Sequence, residues 1–291
     1  MNNTITAAFV AQFHDGFVNA AEQTESRLEA TVTNRGMIVG SSFTANDMGT
    51  IEANQVTNRY GDTEWTIPDA GTRSALMSDY DVAVPIDQFD LPKLLANPQG
   101  PYLQRSIAAM NRKKDAVIYT ALKGSALRKT DENGTFSGVA LPAGQLIAAG
   151  GTGMTKAKIV TARKLFRGNE ADNHNGEELF MTYDSGMLED ILADTSLTSI
   201  DFMAVKMLQE GDVSGKWCGF KWVPYEALSG TTTKTAVAYT KSAAHVGTGS
   251  NIVTDVGPRR DKRNLIQIYA ALSIASVRVN EAKVVAIDYV V

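Results

Sequence analysis

The sequence has few of the residues that build disulfides, metal sites and catalytic centres. It contains one cysteine and three histidines in 291 residues. One cysteine excludes an internal disulfide and a four-cysteine zinc site. His14, His174 and His245 are far apart in sequence and lack metal-binding spacing, so we predict no metal and no cofactor. We interpret Cys218 as an inert thiol buried within a single strand over 217–223.

Long apolar runs and an excess of basic residues are also missing. An uncharged stretch over 135–155 is broken by Pro142 and five glycines, so it does not predict a membrane helix. The first residues lack the pattern of a signal peptide. The net charge of −4 argues against specific recognition of nucleic acid through a strongly basic face. We expect a soluble protein, made in a reducing cytoplasm and without membrane contact.

Catalytic motifs are absent as well. The glycines of 150–153 precede a helix with Lys156 and Lys158, but their spacing fits neither G-x-x-x-x-G-K-[ST] nor G-x-G-x-x-G, which favours a flexible connector. The neighbouring carboxylates Glu177 and Glu178 do not form an acid/base pair that we can place. No nucleophile motif occurs. We therefore predict that the protein is not an enzyme.

Ordinary globular composition, with 44 % apolar and 21 % charged residues, conceals an uneven charge distribution. Residues 1–100 hold 13 acidic and 5 basic residues, a net charge of −8, whereas residues 101–291 hold 19 acidic and 23 basic residues, a net charge of +4. In a protein that assembles with itself, the acidic part of one copy can lie on the basic part of the next.

Hydrophobic periodicity predicts a long helix and a mixed α+β remainder. Pro101 suits the first turn of a helix that extends to about Leu122. Residues 131–134 predict a hairpin turn. Helices are expected from a cap at Thr155 to Phe166, with a stop at Gly168, from a cap at Asp184 or Ser185 to Ala193, and over 201–210. Strands are expected over 178–182, 217–223, 265–274, 276–280 and 283–291, the last as a paired strand at the chain end.

Residues 36–100 do not resemble the core of a domain. Short alternating strands are separated by prolines and polar links, which predicts a long, open, hairpin-like excursion. Such a segment buries little surface by itself, so we expect it to lie across another subunit. The residues that we assign to inter-subunit contacts in the acidic part of the chain are Phe9, Phe13, Phe17, Arg59, Glu64, Trp65 and Arg73.

Two further patterns allow alternative interpretations. The three phenylalanines at positions 9, 13 and 17 form one side of a helix, which either faces the core or docks on a neighbouring copy. The densest basic residues form a surface that either pairs with a neighbour or contacts nucleic acid weakly: Arg112, Lys113, Lys114, Arg259, Arg260, Lys262 and Arg263.

The order of these parts resembles the major capsid protein of tailed bacteriophages, with the Hong Kong 97-type fold. The match is carried by the strand and helix of 179–192, by the glycine turn and strand of 211–223, and by the terminal strands of 270–285. The resemblance implies an α+β fold with an N-terminal arm (1–50), an extended loop (51–95), a peripheral domain that holds a long spine helix (96–145 with 246–291) and an axial domain (146–245).

The resemblance also implies a function and partners. Copies would form pentamers and hexamers of an icosahedral virion shell around double-stranded DNA, contacted non-specifically, after assembly in the host bacterial cytoplasm. A separate scaffolding protein, a portal and a decoration protein are implied as partners. Some family members cross-link through a lysine in the extended loop, but residues 36–92 contain no lysine. The alternatives are an encapsulin-like bacterial compartment and a soluble α/β enzyme.

Overall fold

The computed structural model describes residues 21–57, 61–87, 99–131, 133–193 and 216–291. The helices in these ranges are α1 (Gln99–Lys123), α2 (Lys156–Gly168) and α3 (Ser185–Ala193). The strands are β1 (Thr33–Met37), β2 (Ser42–Met48), β3 (Ala70–Leu76), β4 (Ser78–Ile86), β5 (Ala126–Lys129), β6 (Ser137–Val139), β7 (Leu146–Ile147), β8 (Leu179–Tyr183), β9 (Lys216–Trp217), β10 (Phe220–Pro224), β11 (Thr233–Thr240), β12 (Ala244–Arg259), β13 (Leu265–Arg278) and β14 (Val284–Val290).

The predicted long helix is confirmed as α1. Its 25 residues correspond to about 37 Å at 1.5 Å per residue. Met110, Ile118 and Leu122 are buried on one side, which packs on β13 and, less extensively, on β12 and β4. The helix ends at Gly124, where a Cβ atom would lie 2.7 Å from the Thr120 carbonyl oxygen, so only glycine fits.

The largest core surrounds a six-stranded sheet in the order β7-β14-β11-β8-β10-β9. Every residue of β8 is buried, and β11 pairs antiparallel with both β8 and β14. The apolar sides of α2 and α3 contribute to the same core, in which the Phe166 and Phe220 rings meet edge to face at 5.9 Å. The expected paired strand at the chain end is confirmed, because β14 lies inside this sheet between β7 and β11.

The remaining strands form two four-stranded sheets. One, in the order β1-β12-β13-β4, contains the two longest strands and carries α1 on one side. The other, in the order β2-β3-β5-β6, includes the predicted hairpin around residues 131–134. A separate small cluster lies beneath this second sheet, and its buried members are Phe43, Ala45, Ala75, Ala126, Ala275 and Val277.

Two predictions of the fold require correction. The expected strand over 217–223 is two strands, because Cys218 (φ 50°) and Gly219 (φ 83°) form a tight turn between β9 and β10, as in a hairpin turn with left-handed central residues. Cys218 is therefore a half-buried turn residue and not a buried strand residue. The expected helix over 201–210 lies outside the described residues.

The predicted extended loop over 51–95 includes a strand that belongs to one of the four-stranded sheets. Its second half contains β4, whose nine residues all pair with β13 in the body of the molecule. The alternation of apolar side chains in β4 supplies Val82, Val84 and the fully buried Ile86 to the side of the sheet that α1 covers. The described residues of this segment that precede β3, 51–57 and 61–69, lie outside the sheets.

Candidate subunit-contact surfaces

The projecting hairpin consists of β2, β3 and the described residues between them, 49–57 and 61–69. We call the other described residues the body. The strands pair in register from Ser42 opposite Leu76 to Met48 opposite Ala70, and the Gly49 N–H then donates to the Asp69 carbonyl oxygen at 2.6 Å. All described residues from 50 to 67 are exposed. This part of the chain is consequently free to contact another molecule.

The exposed part of the projecting hairpin is both apolar and acidic. Trp65 is 88 % exposed, and Ile67 and Val56 are more than four-fifths exposed. Glu52, Asp62 and Glu64 are exposed beside them. Large apolar side chains are rarely left together in solvent unless they meet a partner. The predicted contact of Trp65 and Glu64 with a neighbour stays a prediction, and both side chains are exposed as it requires. Arg59 lies outside the described residues.

Arg73 was also predicted to contact a neighbour, and the structure contradicts this. It is 3 % exposed, and its guanidinium pairs with Asp47 at 2.9 Å and with both carboxylate oxygens of Glu281. Burial alone would lower the pKa of Arg73, but the two carboxylates raise it above its usual range. Because β3 is fixed between β2 and β5, the side chain of Arg73 points into the molecule and stabilises the root of the hairpin.

A second surface lies at the tip of the β12–β13 hairpin. Thirteen cross-strand residue pairs connect these strands, and the last of them, Arg259 opposite Leu265, brings the basic run to the far end. Arg259 pairs with Asp261 at 2.6 Å, and this hydrogen-bonded partner holds the pKa of Asp261 at about 2. Arg260, Lys262 and Arg263 are exposed at the same tip. The tip therefore presents a compact positive surface, as predicted.

The basic run on α1 is mostly neutralised within the chain. Arg112 pairs with Glu22 at 2.7 Å, and Lys114 pairs with Glu29 at 3.0 Å. Lys114 is 6 % exposed, so its assignment to a basic surface is wrong. Lys113 remains exposed, with its ammonium 4.4 Å above the Tyr80 ring.

Asp115 was missed by the sequence prediction. Its carboxylate is fully buried and accepts hydrogen bonds from the Ser26 hydroxyl at 2.6 Å, from the Arg27 N–H at 3.0 Å and from the Leu28 N–H at 3.0 Å, so it fixes the segment that precedes β1 along α1. A signal was available, because Asp115 lies three residues before Ile118 and seven before Leu122, which places it on the apolar side of the helix.

In the loop that contains the glycines of 150–153, backbone carbonyl oxygens and not N–H groups are directed inward, toward a lysine. Lys158 Nζ donates to the carbonyl oxygens of Ala149, Thr152 and Gly153 at 2.8, 2.9 and 2.8 Å. A phosphate site would instead require backbone N–H groups directed inward. The loop is therefore fixed by a lysine of its own chain and not an open anion site.

The described residues contain no group of three or more His, Cys, Asp or Glu side chains arranged to hold a metal ion. Burial, together with the charges of Arg35 and Lys283, lowers the pKa of His245 to about 4, so this ring is neutral and accepts from Arg35 Nε at 3.2 Å. No helix in the described part of the chain is long and apolar enough to cross a bilayer. His14 and the three phenylalanines at positions 9, 13 and 17 lie outside the described residues.

Comparisons with known proteins give one consistent result. The family model described as "Phage capsid protein" matches residues 5–291. No curated protein matches the sequence. The solved structures that resemble this chain include that of Mycobacterium phage Che8, with TM-score 0.68 and 14 % identity, covering 95 % of this chain and 96 % of that one.

Two other similar structures come from different sources. The capsid of the cyanophage P-SCSP1u has TM-score 0.67 and 13 % identity, covering 96 % of this chain and 92 % of that one. The capsid of a native GTA particle has TM-score 0.69 and 10 % identity, covering all of both chains. At such identities the similarity shows a shared fold, and the predicted α+β fold of the Hong Kong 97 type is confirmed.

Proposed function

This chain belongs to the phage capsid protein family and is a structural, non-enzymatic major capsid protein, and from this premise we propose that its copies assemble into the pentamers and hexamers of an icosahedral shell around double-stranded DNA. The observation that carries the proposal is the projecting hairpin, whose exposed residues from 50 to 67 include Trp65 and Ile67. Such a segment gains its packing from a neighbouring copy.

The energy of assembly comes from covering these apolar side chains. Each Å² of apolar surface removed from water contributes about 25 cal/mol before the entropic cost of association. The chain has one cysteine, so disulfides make no framework within the subunit. Overlap and packing between many copies therefore hold the shell.

Complementary charges determine which surface of a neighbouring copy the projecting hairpin contacts. The exposed carboxylates of the projecting hairpin are complementary to the positive tip of the β12–β13 hairpin on a neighbour. Within the proposed shell, Arg260, Lys262 and Arg263 contact this neighbour, and any contact with DNA is non-specific. We expect these exposed charge pairs to be weakened by salt.

The proposed parts of the chain are connected to one another through shared sheets. We propose residues 1–50 as the N-terminal arm, 96–145 with 246–291 as the peripheral domain around α1, and 146–245 as the axial domain. The proposed extended loop over 51–95 shares β4 with the peripheral domain, and β14 crosses into the axial sheet. A separate scaffolding protein, a portal and a decoration protein complete the proposed virion, which assembles in the host cytoplasm.

The test removes the projecting residues without disturbing the strands. Residues 50–68 are replaced by Asn-Gly, which suits a two-residue hairpin turn and leaves Gly49 opposite Asp69. We expect folded subunits, by circular dichroism and size-exclusion chromatography, that form no closed particles by negative-stain electron microscopy. Normal closed particles from this variant would overturn the proposal.

A matched pair of point variants sharpens this test. Trp65→Ala removes an exposed ring on the projecting hairpin, whereas Phe136→Ala removes a ring that is 41 % exposed on the body. We expect a loss of closed particles for the first variant only. The contents of wild-type particles separate a virus shell, which encloses DNA, from an encapsulin-like compartment, which encloses protein cargo.

A further inference from the structure

Six charged side chains meet where the projecting hairpin joins the body. The hairpin supplies Asp47, Asp69 and Arg73, and the body supplies three partners from β5, from the end of β13 and from the turn that follows it. We call this group the root cluster, and its members are Asp47, Asp69, Arg73, Arg128, Arg278 and Glu281.

Three ion pairs of the root cluster cross from the hairpin to the body. Arg73 donates from both terminal nitrogens to Glu281, with Nη2 at 2.7 Å from Oε2. Arg128 donates from Nε to Asp47 at 2.9 Å and from Nη2 to Asp69 at 3.0 Å. A guanidinium that contacts a carboxylate through two nitrogens fixes direction as well as distance. The pairs therefore constrain how the hairpin is oriented on the body.

The body side of the root cluster is connected to α1. Arg278 is fully buried, pairs with Glu281 at 3.4 Å and donates to the carbonyl oxygens of Leu122, Gly124 and Val139. Leu122 lies in the last turn of α1 and Gly124 follows the helix, so one arginine satisfies a carbonyl left unpaired at the helix end and also holds the partner of Arg73. The hairpin is thus linked to the long helix through two side chains.

Apolar packing gives this junction little support. The small cluster beneath it is separate from the main core, and five of its six buried members are alanine or valine residues of β2, β3, β5 and β13. Small side chains remove little apolar area from water. Gly71 is also confined, because a Cβ atom there would lie 2.6 Å from both Arg128 Nε and Asp47 Oδ1. The ion pairs, together with the close approach of the Gly71 backbone to the Arg128 and Asp47 side chains, therefore determine the geometry.

We propose that the root cluster sets the angle at which the projecting hairpin leaves the body, and that Arg73 and Glu281 are positioning residues for the overlap between subunits. Each side of the junction carries both signs of charge, so a rotation of the hairpin separates at least one pair. This inference rests on the proposed assembly function, because the angle matters only where a second copy must be reached.

The first experiment measures the angle in unassembled subunits. Cysteines for spin labels replace Trp65 at the exposed end of the hairpin and Lys164 on the surface of α2, in a background with Cys218→Ser. The Trp65→Cys substitution also removes a proposed contact, which helps to keep the subunits apart. Electron–electron double resonance then gives the distance distribution between the labels.

Glu281→Gln and Arg73→Lys are compared in this background. Glu281→Gln keeps the shape and removes the charge, and Arg73→Lys keeps the charge and removes the two-nitrogen contact. We expect both variants to fold, with unchanged circular dichroism, and to give a broader or shifted distance distribution. The control is Glu178→Gln, which breaks the exposed pair with Lys221 on the six-stranded sheet and leaves the distribution unchanged.

The second experiment examines the same variants with Trp65 and Lys164 intact by negative-stain microscopy. We expect Glu281→Gln and Arg73→Lys to lose closed particles, while wild type and Glu178→Gln keep them. Unchanged distance distributions and normal particles would overturn the positioning role. Variants that fail to fold as a whole would overturn it too, because the cluster would then support the entire subunit. If wild type forms no particles, the proposed function fails. A changed distance between the labels would still support the root cluster as the group that sets the angle of the hairpin.

Discussion

The six-stranded sheet and the projecting hairpin belong to one chain but are stabilised by different means. The sheet is covered by α2 and α3 and shares a continuous apolar core with them. The projecting hairpin has a small cluster at its root and large apolar side chains in solvent along its length. The first region buries its apolar side chains within the chain, and the second leaves large apolar side chains exposed to solvent.

The difference is also visible in how each region treats charge. Directly after β8, the fully buried Asp184 accepts hydrogen bonds from Lys234 Nζ at 2.5 Å, from the Tyr289 hydroxyl at 2.6 Å and from the Met187 N–H at 2.8 Å. This carboxylate is therefore satisfied inside the core. At the root of the hairpin, the charges themselves connect the strands to the body. The six-stranded sheet is held by its apolar core, and the polar groups around Asp184 only satisfy one another. The projecting hairpin has a small core, so its orientation depends on ion pairs.

The strongest test of this comparison is a cavity in the six-stranded sheet region. Phe166→Ala removes a fully buried ring that packs against Phe220, and we expect the free energy of unfolding to fall by about 3–5 kcal/mol. Val160→Ala on the same helix changes a side chain that is 50 % exposed, and we expect a change within about 0.5 kcal/mol. Urea unfolding of unassembled subunits measures both, and equal losses would contradict the assigned core.

A smaller effect is expected at the root of the projecting hairpin. Gly71→Ala introduces a Cβ atom 2.6 Å from Arg128 Nε and from Asp47 Oδ1, which forces the ion pair to move. We expect a loss of about 1–3 kcal/mol, typical of overpacking, together with faster proteolysis within residues 49–69. Gly138→Ala in β6 of the same sheet meets its nearest atom, Ser125 Cβ, at 3.7 Å and is the control. A tolerated Gly71→Ala would show that the root is loosely packed.

The smallest effect concerns pH. Burial would raise the pKa of Glu281, but the hydrogen bonds and charge of Arg73 lower it below its ordinary value of 4.5. The stabilisation is therefore present above pH 4.5 and is lost as the pH falls through the lower pKa of the folded state. We expect the difference in unfolding free energy between wild type and Glu281→Gln to narrow as urea unfolding is repeated from pH 7 to below pH 4. A difference in unfolding free energy that stays constant over this pH range would show that ionisation of Glu281 does not stabilise the fold.

Much of the regular structure was predictable from local patterns. The apolar repeat and Pro101 predicted α1, and the observed bounds differ by two residues or fewer. The turn over 131–134, the bounds of α2 and the start of α3 at Ser185 were also anticipated, and Asp184 caps α3 by accepting from the Met187 N–H. These features depend on neighbours within a few residues, which is why the sequence reveals them.

The errors at Arg73 and Lys114 share one cause, which is contact between distant parts of the chain. Arg73 was assigned to a neighbour because it follows an acidic, extended segment, but its partner Glu281 is 208 residues away. Lys114 was assigned to a basic surface because two basic residues precede it, but Glu29 covers it. Cys218 was placed in a strand because strand-forming residues flank it, but Gly219 permits a reversal there.

The amino-acid sequence by itself determined the absence of a disulfide, the long helix, the acidic first third and the exposed character of the segment around Trp65. These properties follow from composition and from periodicity along the chain. Only the tertiary structure decided which charges are available to a partner. It buried Arg73 and Lys114 against distant carboxylates and left Arg260, Lys262 and Arg263 exposed at a hairpin tip. The physical reason is that a charge is neutralised by what lies beside it in space, and chain order does not record that neighbour.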